Sequence, residues 1–350
     1  MYYAVSQLNR LRHWGGTAYL CAIVLCVICM LLAIVVGSVA IPLPTVATVL
    51  WHWIRHVSAP GVPETLVTII TTIRLPRVIM VTCAGAALGG AGAAYQGLFR
   101  NPLADPYVIG VASGAGLGAI SAVALGGVFA FAWYLMPLGA FSGALIVVGL
   151  VYVLARGDDH YTNNDLILAG VALAALANAL TTYIMLHIGR QLSQLLGFLL
   201  GSASIVGWDA VGLMIVSVVM GMTMLMIAAR DLNVLLFPEE QARFLGINVT
   251  RIRALVVIGA TLMTATAVAF HGLIGFVGII VPHSVRMFVG GDHRRLIPLS
   301  ACYGAVFLLL ADMLARTVQS PQEIPVGIIT ACCGAPFFLW QLRLTKKDRK

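Results

Sequence analysis

The feature that most constrains this chain is a succession of long apolar runs, split by short breakers, that fills it almost from end to end. The first, at 17–38, is about as long as the ~20 residues a helix needs to cross the hydrocarbon of a bilayer. Reading the remainder against Pro, Gly, Asn and charged breakers predicts nine more spans, at 78–98, 107–130, 132–155, 166–187, 208–229, 254–272, 274–290, 297–315 and 325–342. Two divisions rest on turns, one at Trp133 to Pro137 and one at His271-Gly272. Backbone in lipid must satisfy its own hydrogen bonds, so these runs predict an all-α, polytopic membrane protein of about ten transmembrane helices, with residues 1–350 forming one transmembrane domain. Composition closes the soluble alternative. The chain is 60% hydrophobic and 10% charged, whereas a soluble domain carries roughly 25% charged residues.

The run at 17–38 follows Arg10, Arg12 and His13 and ends in Ser38-Val39-Ala40, which resembles a signal-peptide cleavage site. A signal core is about 7–15 residues, so this longer run reads as the first span. With an even number of spans both termini share a side. Placing them in the cytoplasm puts 16 of the 21 basic residues inside, leaving Arg55, Arg74, Arg77, Arg190 and Arg316 outside. The reverse orientation violates the positive-inside rule. Two long connections result: an outside segment at about 39–77 with Trp51 and Trp53, and an inside loop at 230–253. The tryptophans suit interfacial anchors and also a docking surface.

Several function classes fall away. The net charge of +8 comes from basic residues scattered singly, with no stripe for nucleic acid. All seven cysteines lie in apolar runs, and Cys26-x-x-Cys29 has no second pair to complete a zinc site, so no metal site is expected. A P-loop needs Gly-x-x-x-x-Gly-Lys-Ser/Thr, but Lys346, Lys347 and Lys350 are the only lysines, so any ATP must be hydrolysed by a partner. The alternative, a gradient-driven secondary transporter, normally carries carboxylates in mid-span. Here Asp105, Asp165 and Asp209 sit at helix starts as candidate N-caps, Asp312 lies four residues before Arg316, and Glu323 is in a loop, leaving His187 and His271 as candidate relays. A membrane-embedded enzyme would need a constellation such as His-Glu-x-x-His or Gly-x-Ser-x-Gly, and neither occurs.

Three segments carry further information. Arg100-Asn101-Pro102-Leu103-Ala104-Asp105-Pro106 breaks the chain at the inner face; Asp105 and Pro106 are placed to open a helix bearing Gly110, Gly114 and Gly118, a stripe suited to close packing. Pro238 to Gly246 reads as a short helix with a glycine stop, either solvated or a dock for a cytoplasmic partner. Ala94-Tyr95-Gln96-Gly97-Leu98 is echoed by Ala269-Phe270-His271-Gly272-Leu273 in a span of opposite direction, as inverted repeats would give.

Taken together, these residues resemble the FecCD-type permeases of ATP-binding cassette importers for iron chelates, haem and cobalamin. The matching stretches are Arg74-Leu75-Pro76-Arg77, Asn101 to Pro106 with the glycine stripe, Leu166 to Val171, Glu239 to Gly246, Gly275 to Gly278 with Val281-Pro282-His283, Ala311-Asp312 with Arg316, and Glu323 to Gly327. The resemblance runs from about residue 70 to the C-terminus. It implies a type II importer permease in the bacterial inner membrane: a dimer with a second copy of itself, two cytoplasmic ATPase subunits that bind ATP and Mg, and one periplasmic substrate-binding protein. This chain itself would hold no cofactor. By the same resemblance, Arg74 and Arg316 would pair with acidic residues of the binding protein. Glu239, Glu240, Ala242, Arg243, Leu245 and Gly246 would form the coupling helix seated in the ATPase. Asn101, Leu103 and Asn163 would form a cytoplasmic gate, although Asp158-Asp159-His160 departs from the family pattern near Asn163. ATP-driven closure of the ATPases would then rock the two permeases by alternating access, with haem, ferric siderophore and cobalamin all open as cargo.

Overall fold

The computed structural model describes residues 2–37, 39–126, 132–156, 162–187, 192–202 and 207–347, and every regular element among them is helical. The order is α1 (Tyr2–Val35), α2 (Leu43–Ile54), α3 (Glu64–Thr68), a π-helical turn (Ile69–Arg74) leading into α4 (Leu75–Leu98), α5 (Val111–Gly126), α6 (Ala132–Ala155), α7 (Asn163–Met185), α8 (Leu192–Leu199), α9 (Trp208–Val234), α10 (Glu239–Phe244), α11 (Val249–His271), α12 (Val277–Val289), α13 (His293–Thr317) and α14 (Val326–Lys347). Seven described segments are long and apolar enough to cross a membrane, and three shorter apolar helices lie at Val111–Leu125, Val277–Val289 and Val326–Trp340.

α4 is the centre of the bundle, packed on α9, α11, α12 and α13. Missing side chains make that possible. A Cβ on Gly85 would run into the Gly304 carbonyl of α13, and one on Gly92 into the Gly278 carbonyl of α12. In lipid the association of helices relies on such close backbone approach rather than on hydrophobic exclusion. α5 and α6 pair in the same way, Gly114 and Gly118 lying against Gly143 and Gly139, so packing accounts for the glycine stripe. The Tyr95 hydroxyl, near the end of α4, reaches Thr261 Oγ1 (3.3 Å) in α11. The end of α4 also meets the start of α11, through Leu98, Asn163 and Arg253, so the two helices run antiparallel and the echoing segments Ala94–Leu98 and Ala269–Leu273 lie at opposite ends. α7 leaves Leu168, Val171, Leu176 and Tyr183 exposed along its length, a face that only lipid or another chain can cover.

Several boundaries differ from expectation, each for a local reason. Pro137 lies inside α6, not in a turn before it; close to a helix start its ring removes only one intrahelical bond. Asp105 and Pro106 do not open α5, which begins at Val111. The Asp105 carboxylate instead accepts the Tyr107 amide (2.9 Å), and Gly110, with φ of 89°, completes the turn. Asp209 sits inside the first turn of α9 rather than capping it. Asp165 is the third helical residue of α7, where it forms a capping box with Thr162. The segment at 39–77 is largely helical: α2 buries Val46 and Val49, and Trp53 stacks on Trp208 (5.4 Å). Asp158-Asp159-His160, Arg190, Arg349 and Lys350 lie outside the described residues.

Candidate functional site

Two clusters of polar side chains occupy opposite ends of the bundle. The first surrounds α10. Pro238 precedes this six-residue helix, and Gly246 (φ 79°) ends it: the Gly246 amide donates to the Arg243 carbonyl (2.9 Å) and the Ile247 amide to the Ala242 carbonyl (3.2 Å), the paired bonds of a Schellman stop. Ala242 is fully buried against the bundle, so the helix is seated on that face. Its other side is apolar and uncovered. Phe244 is 90% exposed and Leu245 67%, beside Phe237 and Leu236. With Gln241, the residues Phe237, Phe244 and Leu245 line a shallow hollow. Glu240 and Arg243 are exposed at the rim, and Glu239 pairs with Arg243 (3.4 Å) one turn on. The outer side of α10 is therefore an exposed apolar patch with charged residues at its rim, the kind of surface that marks an interaction site.

Next to α10 is the turn that follows α4. Arg100 adopts φ of 51° and donates from Nε to the Leu235 carbonyl (2.6 Å), tying the turn to the segment that leads into α10. Asn101 Oδ1 accepts the Leu103 amide (2.9 Å), which fixes the turn and leaves Leu103 55% exposed at its tip. Asn163, the first residue of α7, donates from Nδ2 to the Leu98 carbonyl (2.6 Å) and accepts from Arg253 Nε (3.0 Å). Arg253 Nη2 in turn lies 3.5 Å from Glu239 Oε2. Asn163 and Glu239 are thus joined through Arg253, and the turn that carries Asn101 and Leu103 follows the Leu98 carbonyl that Asn163 holds. Burial pushes the Asp105 carboxyl up to about 6, against the opposing effect of the Tyr107 amide bond.

At the other end, α13, α4 and the end of α1 share an ion cluster. Arg77 Nη2 lies 2.9 Å from Asp312 Oδ1 and 2.9 Å from Glu323 Oε2, and Arg316 Nε lies 2.9 Å from Asp312 Oδ2. Arg74 donates from Nη1 to the carbonyls of Ile34 (2.6 Å) and Val35 (3.0 Å) and from Nη2 to that of Val39. Arg316 donates from Nη2 to the Ala33 carbonyl (3.2 Å). The carbonyls of Ala33, Ile34 and Val35 belong to the last turn of α1, where an α-helix lacks its own donors, and cations there also complement the helix dipole; Val39 lies in the segment beyond it. Arg74 is 6% and Arg316 4% exposed, so the arginines expected at a docking rim are occupied within the chain in this conformation. The aromatic surface at this end is more accessible: Trp51 is exposed, with the Arg55 guanidinium 4.2 Å above its ring.

Sequence reasoning missed Arg77 and Arg253 as functional candidates. Arg77 follows Arg74 by three residues, which marks it as a second basic residue at the same helix start, but its partners Asp312 and Glu323 lie more than two hundred residues away and no local spacing points to them. Arg253 carried no such signal, because its partners lie on two other helices, Glu239 fourteen residues earlier and Asn163 ninety, outside any one-helix spacing. His187 lies beside Tyr183, with Nδ1 2.9 Å from that residue's carbonyl, and His271 is buried.

Ten apolar helical segments among the described residues, with a seated, exposed helix at one end and a polar turn beside it, define a multi-pass membrane protein. Residues 25–344 match the model of the FecCD transport family, and the chain belongs to that family. It is 46% identical over 283 residues to the cobalamin import system permease protein BtuC of Halobacterium salinarum, covering 81% of this chain and 75% of the relative. It is 39% identical to the hemin transport system permease protein HmuU of Yersinia pestis, covering 79% and 84%. A solved metal-chelate type ABC transporter in an inward-facing conformation superposes with a TM-score of 0.79 at 30% identity, covering 91% of this chain and 96% of the other. Its relatives are permease subunits of ABC importers, and this chain is a transport subunit rather than an enzyme.

Proposed function

We propose that this chain is the membrane subunit of an importer that carries a bulky metal chelate, a haem, ferric siderophore or cobalamin, from periplasm to cytoplasm by alternating access. Two copies would form the pathway, with two ATPases below and one binding protein above, in a bacterial inner membrane with both termini cytoplasmic. The single observation that carries this reading is α10: its buried Ala242 seats it on the bundle while Phe237, Phe244 and Leu245 face outward with nothing to cover them. In this reading Glu239, Glu240, Ala242, Arg243, Leu245 and Gly246 form the coupling helix, and Asn101, Leu103 and Asn163 the gate that it controls. Support for the cargo class comes from the named substrates of similar permeases.

The binding protein docks, in this proposal, on the end that holds Arg74, Arg316 and the α2 tryptophans. Because both guanidinium groups hold carbonyls of residues 33–39, direct pairing with a partner's carboxylates requires the end of α1 to release them. The test of the whole reading is uptake into proteoliposomes that contain the chain, its ATPase and a loaded binding protein. ATP-dependent entry of labelled cyanocobalamin, haemin or a ferric siderophore is expected; entry driven by an imposed proton gradient without ATP would contradict it.

A further inference from the structure

One buried side chain, that of Arg253, joins α10 to the start of α7 and, through Asn163, to the end of α4. The Leu98 carbonyl, in the last residue of α4, has no partner within its own helix, and it is taken by Asn163 Nδ2 at 2.6 Å. Asn163 is held at the start of α7 by the capping box of Thr162 and Asp165. Its oxygen receives Arg253 Nε at 3.0 Å, and Arg253 Nη2 faces Glu239 Oε2, at the first residue of α10, at 3.5 Å. Arg253 is 3% exposed, whereas Glu239 is partly exposed. An arginine suits this position because its fork offers separate, rigidly spaced donors to the amide and to the carboxylate, which an ammonium cannot.

We propose that Arg253 is a positioning residue that transmits displacement of α10 to the gate, through Asn163 to the end of α4 and the Asn101–Leu103 turn. This inference rests on the reading of α10 as the coupling helix. Arg253 is buried and its rigid fork holds Asn163 and Glu239 together, so movement of Glu239 favours a matching movement of Arg253 and of the amide it holds. The Arg100 bond to the Leu235 carbonyl ties the same turn to the C-cap of α9, four residues ahead of α10, so the segment that carries this helix is joined to the turn by a second contact.

The test measures ATP hydrolysed per molecule imported by the reconstituted complex, using labelled cyanocobalamin, haemin or ferric siderophore, whichever the wild type takes up. For Arg253→Met the ratio should rise by about tenfold, within the usual range of coupling between sites. Arg253→Lys should fall between the two, and Glu239→Gln combined with Arg253→Met should be no worse than Arg253→Met alone. A merely structural role would lower hydrolysis and uptake together and leave the ratio at the wild-type value, which would overturn the inference while the transport reading stood. Should Arg253→Met fail to assemble, Arg253→Lys and Glu239→Gln decide by the same ratio. No ATP-driven uptake by the wild type would overturn both.

Discussion

Asp312 is fully buried, and its carboxylate faces two guanidinium groups, those of Arg77 and Arg316. Removing that charge leaves the buried Arg316 without its carboxylate and Arg77 with Glu323 alone, so Asp312→Asn should cost about 3 kcal/mol. A thermal melt in detergent should show a clear fall in midpoint; an unchanged midpoint would show that the cluster is not a structural element. Arg74 works differently, through neutral carbonyls at the end of α1. Arg74→Gln should therefore loosen that end more than it destabilises the bundle, read as faster proteolysis after residue 35 with a melt shifted little. The sequence showed the i,i+4 pairing of Asp312 with Arg316, because both lie on one helix. It did not show that Arg74 faces α1, about forty residues earlier, since no local pattern encodes a contact between separate helices.

At the scale of elements, the apolar runs made most of the spans legible, whereas α2 and α8 were not read as helices. α2 is short and amphipathic, too brief to give a spanning signal, and α8 is only eight residues. The start of α5 was misplaced because Asp-Pro is as good an opening for an Asx turn as for a helix, and only the Tyr107 amide shows which was taken. The α5–α6 pair offers a paired test. A Cβ on Gly118 would meet the Gly139 carbonyl, whereas Gly149 has open space around it. Gly118→Leu should force the helices apart, at a cost of about 1–3 kcal/mol for overpacking. Gly149→Leu should leave the melt nearly unchanged; equal effects at the two sites would contradict the packing described. For α10, Phe244→Asp should remove an apolar anchor from the exposed face and cut co-purification of the ATPase by about tenfold or more, as loss of a central interface residue does.

For the molecule as a whole, the family was legible because its motifs fall at turns, caps and helix ends, where particular residue types are required. The route between those motifs was not, because it depends on Arg253 reaching two other helices at once, α7 and α10, with Asn163 carrying the contact on to α4. The central claim is that an ATPase drives transport through α10. It is tested most directly by ATP-dependent uptake of labelled chelate into proteoliposomes holding the complete complex, compared between the wild type and Phe244→Asp. The account predicts uptake that requires ATP and the binding protein and is lost in the variant together with ATPase association. Wild-type uptake that proceeds without ATP, or full ATP-driven uptake by a variant with α10 disabled, would contradict it.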